Sequence, residues 1–183
     1  MPIQTPICDF GQKALPFELK STDNKIISLD NIKGENGTLI MFICNHCPYV
    51  KAVTKEIVED CNELKKIGIN SVAICSNDAV NYPDDSFDNM IKFSNDNQFN
   101  FPYLQDETQE IAKAYDAVCT PDFFGYNKDL GLQYRGRLRE LKNFVPVKDG
   151  ESDLLKAMKQ IAETSKGPQN QIPSAGCGIK WKY

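Results

Sequence analysis

The spacing of apolar positions changes along this chain, and each change marks an element. Thr5–Phe17 is broken by prolines and reads as an entry loop. From Phe17 to Leu29 apolar and polar positions alternate as in a hairpin, with Asp23-Asn24 supplying the turn. Gly34–Gly37 interrupts the chain before an apolar strand, Leu39–Ile43. Between Tyr49 and Ile67 the apolar residues Val53, Ile57, Cys61 and Leu64 recur at steps of four, four and three. That spacing puts them on one face of a helix, and Gly68 follows where a helix stops. Ile69–Cys75 reads as a second buried strand. Strand, helix and strand in this order form a βαβ unit, which implies parallel pairing and a right-handed crossover.

The second half is less regular. Asn77–Asp85 is polar and rich in turn residues, and Ser86–Asn97 then reads as a helix capped by Ser86 or Asp85. Phe99, Phe101 and Tyr103 alternate and are expected to face the core. A short helix follows at Glu107–Tyr115. Phe123–Tyr126 and Leu132–Leu138 flank turn residues at Asn127–Gly131 and predict an antiparallel hairpin. Asp153–Thr164 places Leu154, Met158 and Ile161 on one face, and Gly167-Pro168 ends that helix. The elements predict a three-layer α/β/α sandwich with a mixed central sheet and an N-terminal hairpin extension. One domain spans residues 1–168, and residues 169–183 form a polar tail closing on Trp181.

Composition narrows the functional classes. At 183 residues, with 41% hydrophobic and 25% charged positions, the chain suits a single globular domain. A net charge of −4 argues against a nucleic-acid partner. No run approaches the roughly 18 apolar residues of a membrane helix, so no membrane partner is expected. Met1–Phe10 lacks a basic patch followed by an apolar segment, so the expected compartment is the cytoplasm. Seven cysteines, an odd count, do not suggest a secreted disulfide framework. Only Cys44 and Cys47 are closely spaced, with the sole histidine, His46, between them; this is too few ligands for a structural zinc site. No metal and no cofactor are assigned, and redox chemistry becomes the working hypothesis.

Cys44-Asn45-His46-Cys47 falls where the first central strand meets the long helix. Unpaired N–H groups and the helix dipole favour negative charge at such a terminus, and a thiolate is the reactive form of cysteine. The expectation is that Cys44, at the mouth of the loop, attacks a disulfide and that Cys47, one turn into the helix, resolves it. An imidazolium at His46 would favour the Cys44 thiolate and make the disulfide a stronger oxidant, with a potential above the roughly −270 mV of thioredoxin.

These segments carry a family resemblance. Gly11–Leu19 resembles the redoxin opening, and Phe42–Val50, with its Cys44-Asn45-His46-Cys47-Pro48 core, resembles the active-site segment of a peroxiredoxin-like branch that carries a CxxC. Cys119-Thr120-Pro121-Asp122-Phe123-Phe124 is similar to that branch's cis-proline segment, and Gly176–Trp181 to its C-terminal signature. The chain is therefore identified as a member of the thioredoxin-like superfamily, in the alkyl hydroperoxide reductase/thiol-specific antioxidant (redoxin) group. The resemblance implies a cis-proline at Pro121 facing the CxxC, with Thr120 offering backbone groups to an extended substrate. It also implies an oxidoreductase whose partners are a disulfide-bearing protein or small molecule and a thiol reductant.

Departures from the family bear on activity. Ile43 stands where a thioredoxin carries tryptophan, and Leu39–Ile43 lacks the buried acid of thioredoxins. Neither cysteine has the Pro-x-x-x-Thr/Ser-x-x-Cys context of peroxiredoxins. A thiol peroxidase with Cys44 as peroxidatic cysteine and Cys47 or Cys177 as resolving cysteine is the alternative enzyme. A non-catalytic redox sensor or binding module is the alternative from another class. Cys61 and Cys75 are expected to be core residues, whereas Cys119, Cys177 and more weakly Cys8 are candidate additional thiols. Arg135, Arg137 and Arg139, at period two, read as one strand face, either a docking patch for an acidic partner or a solvated edge.

Overall fold

The computed structural model describes residues 1–183. In chain order its elements are β1 (Ile3–Gln4), β2 (Glu18–Ser21), β3 (Ile26–Ser28), α1 (Leu29–Ile32), β4 (Gly37–Phe42), α2 (Pro48–Lys65) and β5 (Ile69–Cys75). They continue with a 3₁₀ turn at Pro83–Asp85, α3 (Phe87–Asp96), β6 (Tyr103–Gln105), α4 (Glu110–Tyr115), β7 (Cys119–Thr120) and β8 (Asp122–Tyr126). The last are β9 (Leu132–Tyr134), β10 (Leu141–Lys142), β11 (Val145–Pro146), α5 (Asp153–Thr164) and β12 (Ala175–Gly178). No helix is long and apolar enough to cross a membrane.

A seven-stranded mixed sheet in the order β3-β2-β6-β5-β4-β8-β9 forms the middle layer. All six residues of β4 are buried, because the strand runs parallel to β5 and antiparallel to β8 with both faces covered. Successive side chains point to opposite faces, so β4 serves two cores. Leu39, Met41 and Ile43 pack with Val50, Val53, Ile57 and Leu64 of α2 and with Leu154, Met158 and Ile161 of α5. Ile40 and Phe42 face the other way, among Leu29 and Ile32 of α1, Ala112 and Tyr115 of α4, and Ile179. The sandwich, the βαβ unit and both hairpins follow the sequence expectation.

Four features differ from it. Leu29 does not end the first hairpin but opens the single-turn α1, whose capping box pairs the Ser28 hydroxyl with the Asn31 amide and the Asn31 side chain with the Ser28 amide. Four residues are too few for a helical period to show. Phe101 and Tyr103 are buried as expected, but Tyr103 also begins β6, a three-residue strand between β2 and β5 that the alternation did not identify.

The arginines are the largest correction. β9 stops at Tyr134, so Arg135, Arg137 and Arg139 share no strand face. The Arg135 side chain is 6% exposed and donates through Nε and Nη2 to Asp122 at 3.2 and 2.9 Å. Arg139, also buried, forks onto Glu56 of α2 and donates to the Val147 and Gly150 carbonyls. Arg137 pairs with Asp153 at the start of α5 at 2.7 Å. Arg135 and Arg139 are internal clamps and Arg137 a half-exposed ion pair, so the three form neither a docking patch nor a solvated edge. A planar guanidinium can be buried when a carboxylate and carbonyls meet its fork.

The segment read as a tail enters the fold. β12 lies between β1 and β7 in a second, three-stranded sheet, and Ile179 and Trp181 pack in the second core. Asp78 donates its amide to the Lys180 carbonyl, and Lys180 donates to Asn77.

Candidate active site

The long helix starts at Pro48, and that placement moves Cys47 from the expected position one turn inside the helix back to its cap. Proline lacks an N–H and fits the first helical position, while the residue before it is held extended. Cys47 is accordingly the N-cap, with φ −68° and ψ 125°, rather than a residue one turn inside. Cys44 lies three residues earlier, between the end of β4 and the helix, and is 1% exposed. Both were expected near the helix terminus, and Cys47 is the one that occupies it.

The electrostatics follow this geometry. Cys47 is held below the ordinary thiol range chiefly by the neighbouring Cys44 thiol; burial opposes this, and Thr120, Cys177 and the Val50 backbone add to it. The Cys47 sulfur lies 3.3 Å from the Thr120 carbonyl, to which the neutral thiol donates, and it makes no capping hydrogen bond to the helix amides. What the terminus adds is the favourable end of the α2 dipole. Cys44 is pushed up, first by its bond to Cys47, then by burial and by the Asp85 carboxylate.

Asp85 joins His46 and Cys44 at this site. His46 Nδ1 lies 2.7 Å from Asp85 Oδ2, so the imidazole stands between a carboxylate and the Cys44 thiol. Asp85 is buried; it accepts from the Asn45 amide at 2.8 Å through Oδ1 and from Asn77 Nδ2 at 2.8 Å through Oδ2. Asn45 is fixed in turn by the Tyr103 hydroxyl, which donates to its Oδ1 at 2.8 Å. Cys44, His46 and Asp85 bring potential ligand atoms within 4.8 Å of one another, but both Asp85 oxygens already accept hydrogen bonds. Asp85 was legible only as a possible helix cap. Ser86 takes that role, and no spacing in the sequence links residue 85 to residue 44.

Thr120 stands at the centre. The Thr120–Pro121 bond is cis, and the Thr120 hydroxyl lies 3.4 Å from Cys44 Sγ. The backbone of Thr120 is already occupied, because β12 pairs with β7 in the register Cys177↔Thr120 and Gly178↔Cys119. The free edge that the resemblance implied for an extended substrate is filled by the chain itself. Of the remaining thiols, Cys61, Cys75 and Cys119 are buried and their thiols pushed up by desolvation. Cys119, one residue before Thr120 in the strand, points to the opposite face. Half-buried Cys8 is pushed up to about 11, again chiefly by burial, and only Cys177 joins the Cys44–Cys47 pair.

Comparison with known proteins adds the lineage. Residues 10–140 match the model of the AhpC/TSA family. The chain belongs to the AhpC/TSA family. It is similar over its whole length to an uncharacterized conserved protein of Geobacillus kaustophilus, at 43% identity, 97% coverage of that chain and a TM-score of 0.93. A hypothetical protein of Sinorhizobium meliloti is 30% identical, with 100% of this chain and 99% of that one covered and a TM-score of 0.90. At 15% identity, a thiol:disulfide interchange protein of Chlorobium tepidum shares the thioredoxin-like fold over 83% of this chain and 97% of its own, with a TM-score of 0.64. No curated protein matches the chain. Family membership supports a redox function for this AhpC/TSA protein.

Proposed function

We propose that the protein is a thiol–disulfide oxidoreductase in which Cys47 attacks and Cys44 resolves. The observation that carries this reading is the N-cap position of Cys47, where the helix dipole and the Cys44 thiol both favour its thiolate. The Cys47 thiolate attacks R–S–S–R′, forming Cys47–S–S–R and releasing R′–S⁻. Cys44 then attacks the Cys47 sulfur, closing Cys44–Cys47 and releasing R–S⁻, which takes the Cys44 proton. A thiol reductant returns the pair to the dithiol. Asp85, His46 and Asn45 position the Cys44 loop, and Thr120 with Pro121 forms the wall facing both sulfurs. A cleft of about 240 Å³ beside Pro121, lined by Tyr49, Val53, Phe123 and Leu138, suits an apolar side chain flanking the substrate disulfide. We place the chemistry in the cytoplasm, where seven thiols would stay reduced.

The test is rapid mixing of reduced protein with a protein disulfide and, separately, with hydrogen peroxide. Fast loss of the Cys47 thiolate with the disulfide and slow loss with peroxide are expected. The reverse result would favour a peroxidase.

The lowered Cys47 titration has two further consequences. Alkylation of Cys47 by iodoacetamide should stay near its maximum through neutral pH and fall only in acid. A midpoint at the ordinary value of about 8.5 would contradict the thiolate assignment. The sign for stability follows. The reduced fold gains its full thiolate contribution above the unfolded thiol value and loses it as pH falls through the lower folded value. Because the disulfide form has no such contribution, a potential above the roughly −270 mV of thioredoxin is expected by redox equilibration with glutathione.

A further inference from the structure

Cys47, the attacking group of the proposed reaction, is completely shielded from solvent. Part of the shield is β12. Residues directly opposite in an antiparallel pair project from the same face, with Cβ atoms about 4.5–5.5 Å apart. Cys177 is opposite Thr120, and the Thr120 hydroxyl points at Cys44 Sγ. The register therefore turns Cys177 toward the Cys44–Cys47 pair, where it packs on the same core. Cys47 lies between two thiols, Cys44 from its own loop and Cys177 from the far end of the chain.

The strand is seated closely. A Cβ on Gly176 would lie 1.9 Å from the Thr120 carbonyl oxygen and 2.6 Å from its carbon, so β12 reaches β7 only because residue 176 has no side chain. Ser174 holds the near end through the Pro121 carbonyl at 2.7 Å, and Ile179 holds the far end through the Val118 carbonyl at 3.2 Å. Cys177 is nevertheless half-buried rather than sealed.

We infer that Cys177 is a second resolving thiol for Cys47, carried on a strand that closes over the site, so that β12 must lift for substrate to enter and resolves the mixed disulfide as it returns. The step balances as Cys47–S–S–R plus Cys177–SH giving Cys47–S–S–Cys177 plus R–SH. The Cys47–R bond breaks, the Cys47–Cys177 bond forms, and the Cys177 proton passes to the leaving thiolate. The inference rests on Cys47 being the attacking thiolate.

Oxidised glutathione is the probe, read by peptide mapping of the full-length protein. In Cys44→Ser, the expected product is a Cys47–Cys177 disulfide with glutathione released, and in Cys44→Ser/Cys177→Ser a lasting glutathione adduct on Cys47. A lasting adduct on Cys47 in the single variant, with Cys177 free, would overturn the inference and leave the attacking role of Cys47 intact. No adduct on Cys47 in either variant would overturn both. The unsubstituted protein supplies a control independent of folding defects: its oxidised form should contain Cys47–Cys177 alongside Cys44–Cys47, and finding Cys44–Cys47 alone counts against the inference. Gly176→Ala should speed alkylation of Cys47 about tenfold by weakening closure. An unchanged rate would mean that β12 does not gate the site.

Discussion

Cys47→Ser should abolish turnover of a protein disulfide, a loss of roughly 10³-fold or more on the scale of removing a covalent nucleophile. Cys44→Ser should behave differently. It keeps the N-cap thiol and the first step, so a burst of substrate thiol is expected, followed by resolution that depends on Cys177 alone. The asymmetry comes from the helix start. Cys47 caps α2, while Cys44, equally buried, lies before the helix and is pushed up by its neighbour Cys47, by burial and by Asp85. Stopped-flow detection of released thiol in the two variants separates the roles. A burst that survives in Cys47→Ser and vanishes in Cys44→Ser would restore Cys44 as the attacking thiol and Cys47 as the resolving one.

Arg135→Ala should destabilise the fold by about 3–5 kcal/mol, the cost of leaving a buried charge without its partner. Asp122 is fully buried and depends on the Arg135 fork, and Arg135 also donates to the Asp116 carbonyl and stacks on Phe124 at 4.4 Å. Burial raises the Asp122 carboxyl more than Arg135 lowers it, so the pair is no large net source of stability. The double variant Arg135→Met/Asp122→Leu should therefore recover most of the loss. Urea unfolding midpoints of the single and double variants decide the matter. An Arg135→Ala midpoint close to that of the unsubstituted protein would show that water reaches Asp122. Because Asp122 follows Pro121 directly, the single variant should also slow disulfide turnover.

The sequence reached the fold through period. Leu39–Ile43 and Ile69–Cys75 are apolar runs of strand length, and Val53, Ile57, Cys61 and Leu64 keep a helical step, because local burial on one or two faces selects those spacings. It reached the site's location because CxxC beside a βαβ unit is itself a local pattern. It held the key to the cysteine order as well, in the dipeptide Cys47-Pro48: a proline that begins a helix makes the residue before it the cap. The expected position of Cys47, one turn inside the helix, is therefore about one turn too far along.

What the sequence determined by itself is therefore local: the βαβ unit, the capped helices, and a pair of thiols at a helix terminus. Tertiary structure alone decided the rest. It carried Asp85 to His46 from 39 positions away and set the carboxylate against the Cys44 thiolate. It turned three arginines at an even spacing into three separate ion pairs, two of them buried. It laid residues 175–178 along Thr120 and brought Cys177 to Cys47. Each of these joins groups far apart in the chain through buried charge or strand pairing. Such contacts depend on which surfaces the sheet brings together and leave no periodic trace in the order of residues.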